Sequence, residues 1–195
     1  MEDTFMAKAN DWDNPQRTAL TKKFVDELLK NVSPQPEWKA LEIGAGTGLI
    51  GLQILPLVEK VVFEDTSESM LNVLKQKLTG EENVEILHGE VFDYKKQDID
   101  LIFSSMAFHH IEDIEKTIQH LSAITKPGGL VVIADLVTED GSFHSFEPIP
   151  HRGFDTAKLA EEFQDAGFEV KSVYVFNKVL KAIDYPQFIL IAQRK

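Results

Sequence analysis

From residue 39 onward, short apolar runs alternate with stretches whose apolar residues recur every three or four positions. Ala40 to Ile43, Lys60 to Glu64, Asn83 to His88, Asp98 to Ser105 and Leu130 to Ala134 read as strands. In the fourth run apolar residues dominate rather than alternate, as expected of a strand covered on both faces. Between them, Leu49 to Ile54, Glu68 to about Leu78, and Ile114 to Ile124 read as helices. Upstream, Leu20, Phe24, Leu28 and Val32 share one face of a helix that runs to about Asn31. Asp13 or Asn14 caps it, Pro15 sits in its first turn, and Ser33-Pro34-Gln35-Pro36 stops it. Phe5, Met6 and Trp12 lie among polar residues before that helix. Downstream, Asp155 caps a helix ending near Ala166-Gly167, with Leu159 and Phe163 inward. Phe168 to Phe176 and Gln187 to Ala192 read as a final antiparallel pair.

Strands alternating with helices from Leu41 to Ala134 imply right-handed crossovers and a parallel sheet with helices on both faces. Ligands of such sheets bind at the carboxyl ends of strands, near the reversal in strand order. Gly44 to Gly48, Asp65, Glu90, Ser105 and Asp135 all fall at strand ends, so one site can collect them. Tyr94-Lys95-Lys96-Gln97 reads as a polar loop, and Thr125 to Gly129 as a turn before the fifth strand. Residues 136–153 are the least regular, and the aromatics, histidines and prolines there (Phe143, His144, Phe146, Pro148, Pro150 and His151) suggest an ordered loop over a pocket.

Leu41-Glu42-Ile43-Gly44-Ala45-Gly46-Thr47-Gly48 is a strand, a tight turn and a helix start. Glycines there permit positive φ and close approach of a ligand to the backbone. The helix start offers N–H groups and the positive end of a dipole. The Gly-x-Gly-x-Gly spacing differs from the dinucleotide pattern Gly-x-Gly-x-x-Gly, which disfavours an NAD-dependent oxidoreductase. An acidic residue at the end of the second strand suits ribose hydroxyls. Asp65 and Glu64 compete for that role, and Asp65 or Ser67 also suits a helix cap.

Together these stretches resemble the Rossmann-like S-adenosylmethionine (SAM) dependent methyltransferases. Leu41 to Gly48 resembles the first motif of that family, and Asp65-Thr66-Ser67-Glu68-Ser69-Met70-Leu71 the second, Asp-x-Ser-x-x-Met-Leu. Gly89-Glu90-Val91 stands where Gly-Asp-Ala is usual, and Ala107-Phe108-His109-His110-Ile111 is similar to the fourth motif. Lys126-Pro127-Gly128-Gly129 is a further likeness, as is Trp12-Asp13-Asn14-Pro15, whose counterpart in small bacterial members folds over the cofactor. The resemblance implies a doubly wound α/β fold: a seven-stranded, mostly parallel sheet with an antiparallel final hairpin. It implies one domain over residues 1–195, with 1–33 as a cap segment and 136–154 as a substrate-side loop.

The implied cofactor is SAM, leaving as S-adenosylhomocysteine. Gly44, Ala45, Gly46, Thr47 and Gly48 would pass near its methionine part, with Glu42 orienting the turn from behind. Asp65, with Thr66 and Met70, would serve the ribose side, Glu90 and Val91 would border adenine, and Ser105 would hold the amino group. The implied acceptor is a small molecule. The fourth motif is not Asn-Pro-Pro-Tyr, which counts against amino methylation of DNA adenine or protein glutamine. His109, His110, His144 and His151 are the candidates for chemistry, because imidazole titrates in the useful range, and Asp135 is a candidate for contacting the substrate. A metal site from His144, His151 and Asp135 is disfavoured, since their spacing matches no ligand motif. A non-catalytic SAM-binding regulator would carry the same cofactor motifs.

Composition narrows this further. The formal net charge is −12, and the basic pairs Lys22-Lys23 and Lys95-Lys96 do not make the basic patch that nucleic acid requires. That acidity would also be repelled by anionic membranes. The chain has no cysteine, so disulfides and thiolate chemistry are excluded. No apolar run approaches the roughly 20 residues of a membrane span. Met1-Glu2-Asp3 does not open a signal peptide, so a cytoplasmic location is expected. The oligomeric state is left open by the sequence.

Overall fold

A computed structural model of the chain describes residues 3, 6–145, 148–181 and 183–195. Phe5, Phe146 and Glu147 lie outside the described residues. Seven strands form one sheet: β1 (Lys39–Ile43), β2 (Lys60–Asp65), β3 (Val84–His88), β4 (Ile99–Ser105), β5 (Thr125–Leu136), β6 (Phe168–Leu180) and β7 (Asp184–Arg194). Their spatial order is β3-β2-β1-β4-β5-β7-β6. The first five run parallel, and β7 is antiparallel to both β5 and β6. The order reverses between β1 and β4, so the crevice at their carboxyl ends is the place for a ligand.

The helices are α1 (Pro15–Asn31), α2 (Gly51–Ile54), α3 (Glu68–Lys77), α4 (Ile114–Ile124) and α5 (Thr156–Asp165). Each long helix starts at a side chain that accepts a backbone N–H: Asn14 for α1, Ser67 for α3, Asp113 for α4 and Asp155 for α5. Asn14, rather than Asp13, is the cap of α1.

The apolar core is divided by the sheet. On one face Leu41, Ile43, Ile102 and Ile133 meet Ile118 and Leu121 of α4 and Leu159 and Phe163 of α5. On the other, Ala40, Phe63, Leu101 and Val132 meet Phe24 and Leu28 of α1 and Leu71 and Leu74 of α3. Alternate residues of β1 therefore serve opposite layers, as the two-residue period of a strand requires. Each wholly buried side chain of this size contributes about 1.5–3 kcal/mol.

Three elements depart from the sequence reading. β5 begins at Thr125, because Lys126 bonds the Asp100 carboxylate of β4 and Gly128, at φ +82°, bends the strand without ending it. β6 and β7 extend through the pair Leu180–Asp184, since a hairpin ladder is held by its backbone and tolerates polar side chains such as Asn177 and Lys178. Tyr94 is buried rather than part of a polar loop, with its hydroxyl donating to Asp98 at 2.6 Å. No helix among the described residues is long and apolar enough to cross a membrane.

Candidate active site

The glycine turn leaves β1 with Gly44, Gly46 and Gly48 all at positive φ, +67°, +54° and +81°. The reasons differ. A β-carbon on Gly44 would collide with that of Ala107, just past β4, so the two loops touch there. A β-carbon on Gly48 would collide with Leu74 of α3. At Gly46 the nearest neighbour would be Trp12 Nε1, 4.0 Å away. Two glycines are thus required by packing; at the third, Trp12 is the one group among the described residues within 4 Å of where a β-carbon would stand.

Trp12 belongs to a segment that lies over the turn. Asp13 accepts from the Thr47 hydroxyl and pairs with Lys77. Lys77 also donates to the Thr47 carbonyl at 2.6 Å. The Arg17 guanidinium stacks 3.8 Å from the Trp12 ring centroid, and Asp3 bonds Ser67 Oγ and the Ser69 N–H.

Three carboxylates brace the turn from beneath. Glu42 accepts from the Gly51 N–H at 3.0 Å, and so positions the start of α2. Glu64 accepts from the Gly44 N–H at 3.2 Å. Asp65 accepts from the Gly46 N–H at 2.6 Å and the Ser67 N–H at 2.8 Å. Burial pushes the Glu42 carboxyl well above the usual range and that of Glu64 up to about 8, with Asp65 repelling both. Asp65 is raised too, chiefly by burial, against the pull of its two N–H donors. Glu64 is buried and Asp65 half-buried, so Asp65 is the carboxylate presented at the strand tip. Thr66 and Glu90 are exposed, Ser105 is half-buried, and Met70 and Val91 are buried.

Beyond β4 the chain turns at Met106, a non-glycine residue at φ +57°. A short turn, Phe108–His110, follows and carries His109 inward. His109 is 1 % exposed. Its Nδ1 lies 2.7 Å from Asp135 Oδ1, and its backbone N–H donates to Asp135 Oδ2 at 3.1 Å. Asp135, wholly buried near the end of β5, also accepts from the Leu136 N–H. An ionised carboxylate on Nδ1 makes that nitrogen the protonated one and leaves Nε2 with its lone pair. Among the described residues His109 Nε2 has no hydrogen-bond partner, and neither has the buried His144 Nδ1.

His144 reaches this place from a turn flanked by Gly141 at φ +100° and Ser145 at φ +55°. Its ring centroid is 4.8 Å from that of His109 and 5.8 Å from that of His110, and the His109 and His110 centroids are 4.2 Å apart. Burial, reinforced by the neighbouring imidazoles, holds His110 down to about 4 and lowers His144. His151 N–H donates to the His109 carbonyl, but its ring stacks on Phe154 and meets the Glu112 carbonyl. Asp135, His109, His110 and His144 therefore form one group, from which the His151 ring is turned away.

The sequence model described as "Methyltransferase domain" matches residues 41–133, the span holding the glycine turn, Asp65 and the His109 loop. The chain belongs to the Rossmann-like, class I SAM-dependent methyltransferases. An uncharacterized methyltransferase of Oceanobacillus iheyensis is 31% identical over 145 residues, covering 71% of this chain and 66% of the relative. The chain spans no more than 66% of the length of the first curated relatives it matches. A SAM dependent methyltransferase from Aquifex aeolicus superposes with a TM-score of 0.75 at 23% identity, covering 97% of this chain and 98% of that one. A chain from a complex of the Haloferax volcanii Trm112 methyltransferase activator superposes with a TM-score of 0.84 at 16% identity, covering 99% and 98%. Both structural likenesses concern the fold.

The residues present suit SAM. Gly46 offers bare backbone beside open space that a ligand could take, and the braced carboxylates suit a ligand with ribose hydroxyls and positive charge. Sequence reasoning did not find Lys77 or Gly51, where a β-carbon would collide with Glu42 and Phe63. Neither carries a local signal. Lys77 reads as the last turn of a helix, and Gly51 as an ordinary small residue.

Proposed function

We propose that this protein transfers the methyl group of SAM to a small-molecule acceptor. The observation that carries the reading is the contact of Gly44 with Ala107, which joins the backbone cradle to the loop bearing His109. SAM, when bound, supplies a methyl group already activated by its sulfonium leaving group. The protein's work is then alignment and exclusion of water.

In this reading Asp65 accepts from the ribose hydroxyls, and the Gly44 to Gly48 backbone lies along the methionine part. Glu90 and Val91 border the adenine, and Ser105 holds the amino group through its backbone. Glu42 and Glu64 keep the turn in register from beneath. Where the acceptor carries a proton, His109 takes it at Nε2 while Asp135 steadies the imidazolium through Nδ1. His110 and His144 wall the same space. Calorimetry with SAM and S-adenosylhomocysteine, followed by a methylation screen on metabolite extracts, tests the proposal. Binding together with acceptor-dependent S-adenosylhomocysteine is expected. Absence of SAM binding would refute it, and binding without turnover in any extract would favour a regulatory role.

A further inference from the structure

We propose that His109, His110 and His144 form a site for one divalent transition-metal ion of the zinc class. One ring nitrogen from each lies within 4.8 Å of the others. Three imidazoles without a thiolate suit zinc, cobalt, nickel or copper rather than magnesium or calcium. Proximity alone would not single out these residues. The second observation is that His109 Nε2 and His144 Nδ1 are both buried and, among the described residues, without a partner. A buried polar nitrogen left unbonded costs about 1–3 kcal/mol, and the group holds two of them. A metal ion satisfies both with one atom.

The third observation is the Asp135 carboxylate, 2.7 Å from the other nitrogen of His109. A ligating histidine commonly gives its remaining N–H to a carboxylate, which fixes the tautomer and raises the donor strength of the metal-facing nitrogen. Asp135 is itself held by two backbone N–H groups, so it orients the ring rather than competing for the ion.

Tetrahedral zinc at about 2.0–2.1 Å from each nitrogen places its donors about 3.3 Å apart. The three nitrogens therefore close by up to roughly 1.5 Å on binding, through side-chain rotation at the exposed His110 and the half-buried His144. Three protein ligands leave a fourth position open. If the methyl-transfer reading holds, that position takes the acceptor's oxygen, nitrogen or sulfur. In the metal-loaded protein the ion then replaces His109 Nε2 in the role of base given above: it lowers the acceptor's pKa, and the acceptor proton leaves to solvent.

The test uses the full chain, stripped with chelator. Titration with zinc chloride by calorimetry should show one equivalent bound with submicromolar affinity, and cobalt(II) should give the visible absorption of a tetrahedral site. Binding should fall by more than tenfold in His144→Ala and in His110→Ala, which spare the buried His109. Asp135→Asn should weaken it by about 10–100-fold, and His151→Ala should leave it unchanged. No stoichiometric binding, or equal affinity in the His110 and His144 variants, would overturn the proposal. SAM affinity measured on the same metal-free samples separates that failure from failure of the methyltransferase reading.

Discussion

A valine at position 46 would put a side chain into space that the fold leaves to something else. Gly46 sits at φ +54°, which a β-branched residue adopts only under strain. That strain costs about 1–3 kcal/mol, against a total stability on the order of 5–15 kcal/mol for a domain. No collision with the described residues adds to it, since among them the new β-carbon would meet nothing nearer than Trp12 Nε1 at 4.0 Å. The Gly46 N–H bond to Asp65 survives, because it uses the backbone. The variant should therefore fold, with a melting temperature lowered by about 2–12 °C. Its methyl groups would fill the cradle, and SAM affinity should drop at least about a hundredfold, or about 2.7 kcal/mol. Gly44→Ala supplies the contrast: its β-carbon collides with Ala107, so the loss should appear in folding first. Thermal melts and calorimetry on both variants distinguish the two glycines. A folded Gly46→Val protein that binds SAM with undiminished affinity would refute close backbone approach at this turn.

Asp65→Ala should weaken SAM binding by more than tenfold, measured by calorimetry, and unchanged affinity would remove the ribose role or pass it to Glu64. Glu64 gives a pH signature. Its carboxyl ionises near 4.5 in the unfolded chain and at about 8 in the fold, so its contribution to stability is lost as pH rises between those values. Glu64→Gln lacks that loss, and the stability gap between variant and parent should widen by up to about 1.4 kcal/mol per pH unit in urea titrations from pH 5 to 8. A gap that stays constant with pH would count against the buried, protonated Glu64. Asp135→Asn should reduce acceptor methylation by about 10²–10⁴-fold with SAM affinity retained. Equal turnover would remove Asp135 and His109 from the chemistry.

The strands, caps and glycine turn could be read from the chain because each is a local matter. Apolar runs mark β1, β2 and β4, Ser67 and Asp155 sit where an N-cap must sit, and Gly44, Gly46 and Gly48 announce positive φ. From the alternation of strand and helix, the collection of strand ends into one crevice also followed. Which side chains meet inside that crevice did not. His109 and Asp135 are 26 residues apart, and they meet because β4 pairs in register with β5. His144 joins them only through the path of an irregular loop, and the His151 ring leaves by the path of the same loop. Asp13, a cap candidate by its position, instead ties the N-terminal segment to Thr47 and Lys77. Neither the burial of Tyr94 nor that of Glu64 shows in neighbouring residues. Local sequence sets backbone conformation and the alternation of faces. Distances between side chains remote in sequence depend on strand order and register, which arise only when the whole sheet closes on its core.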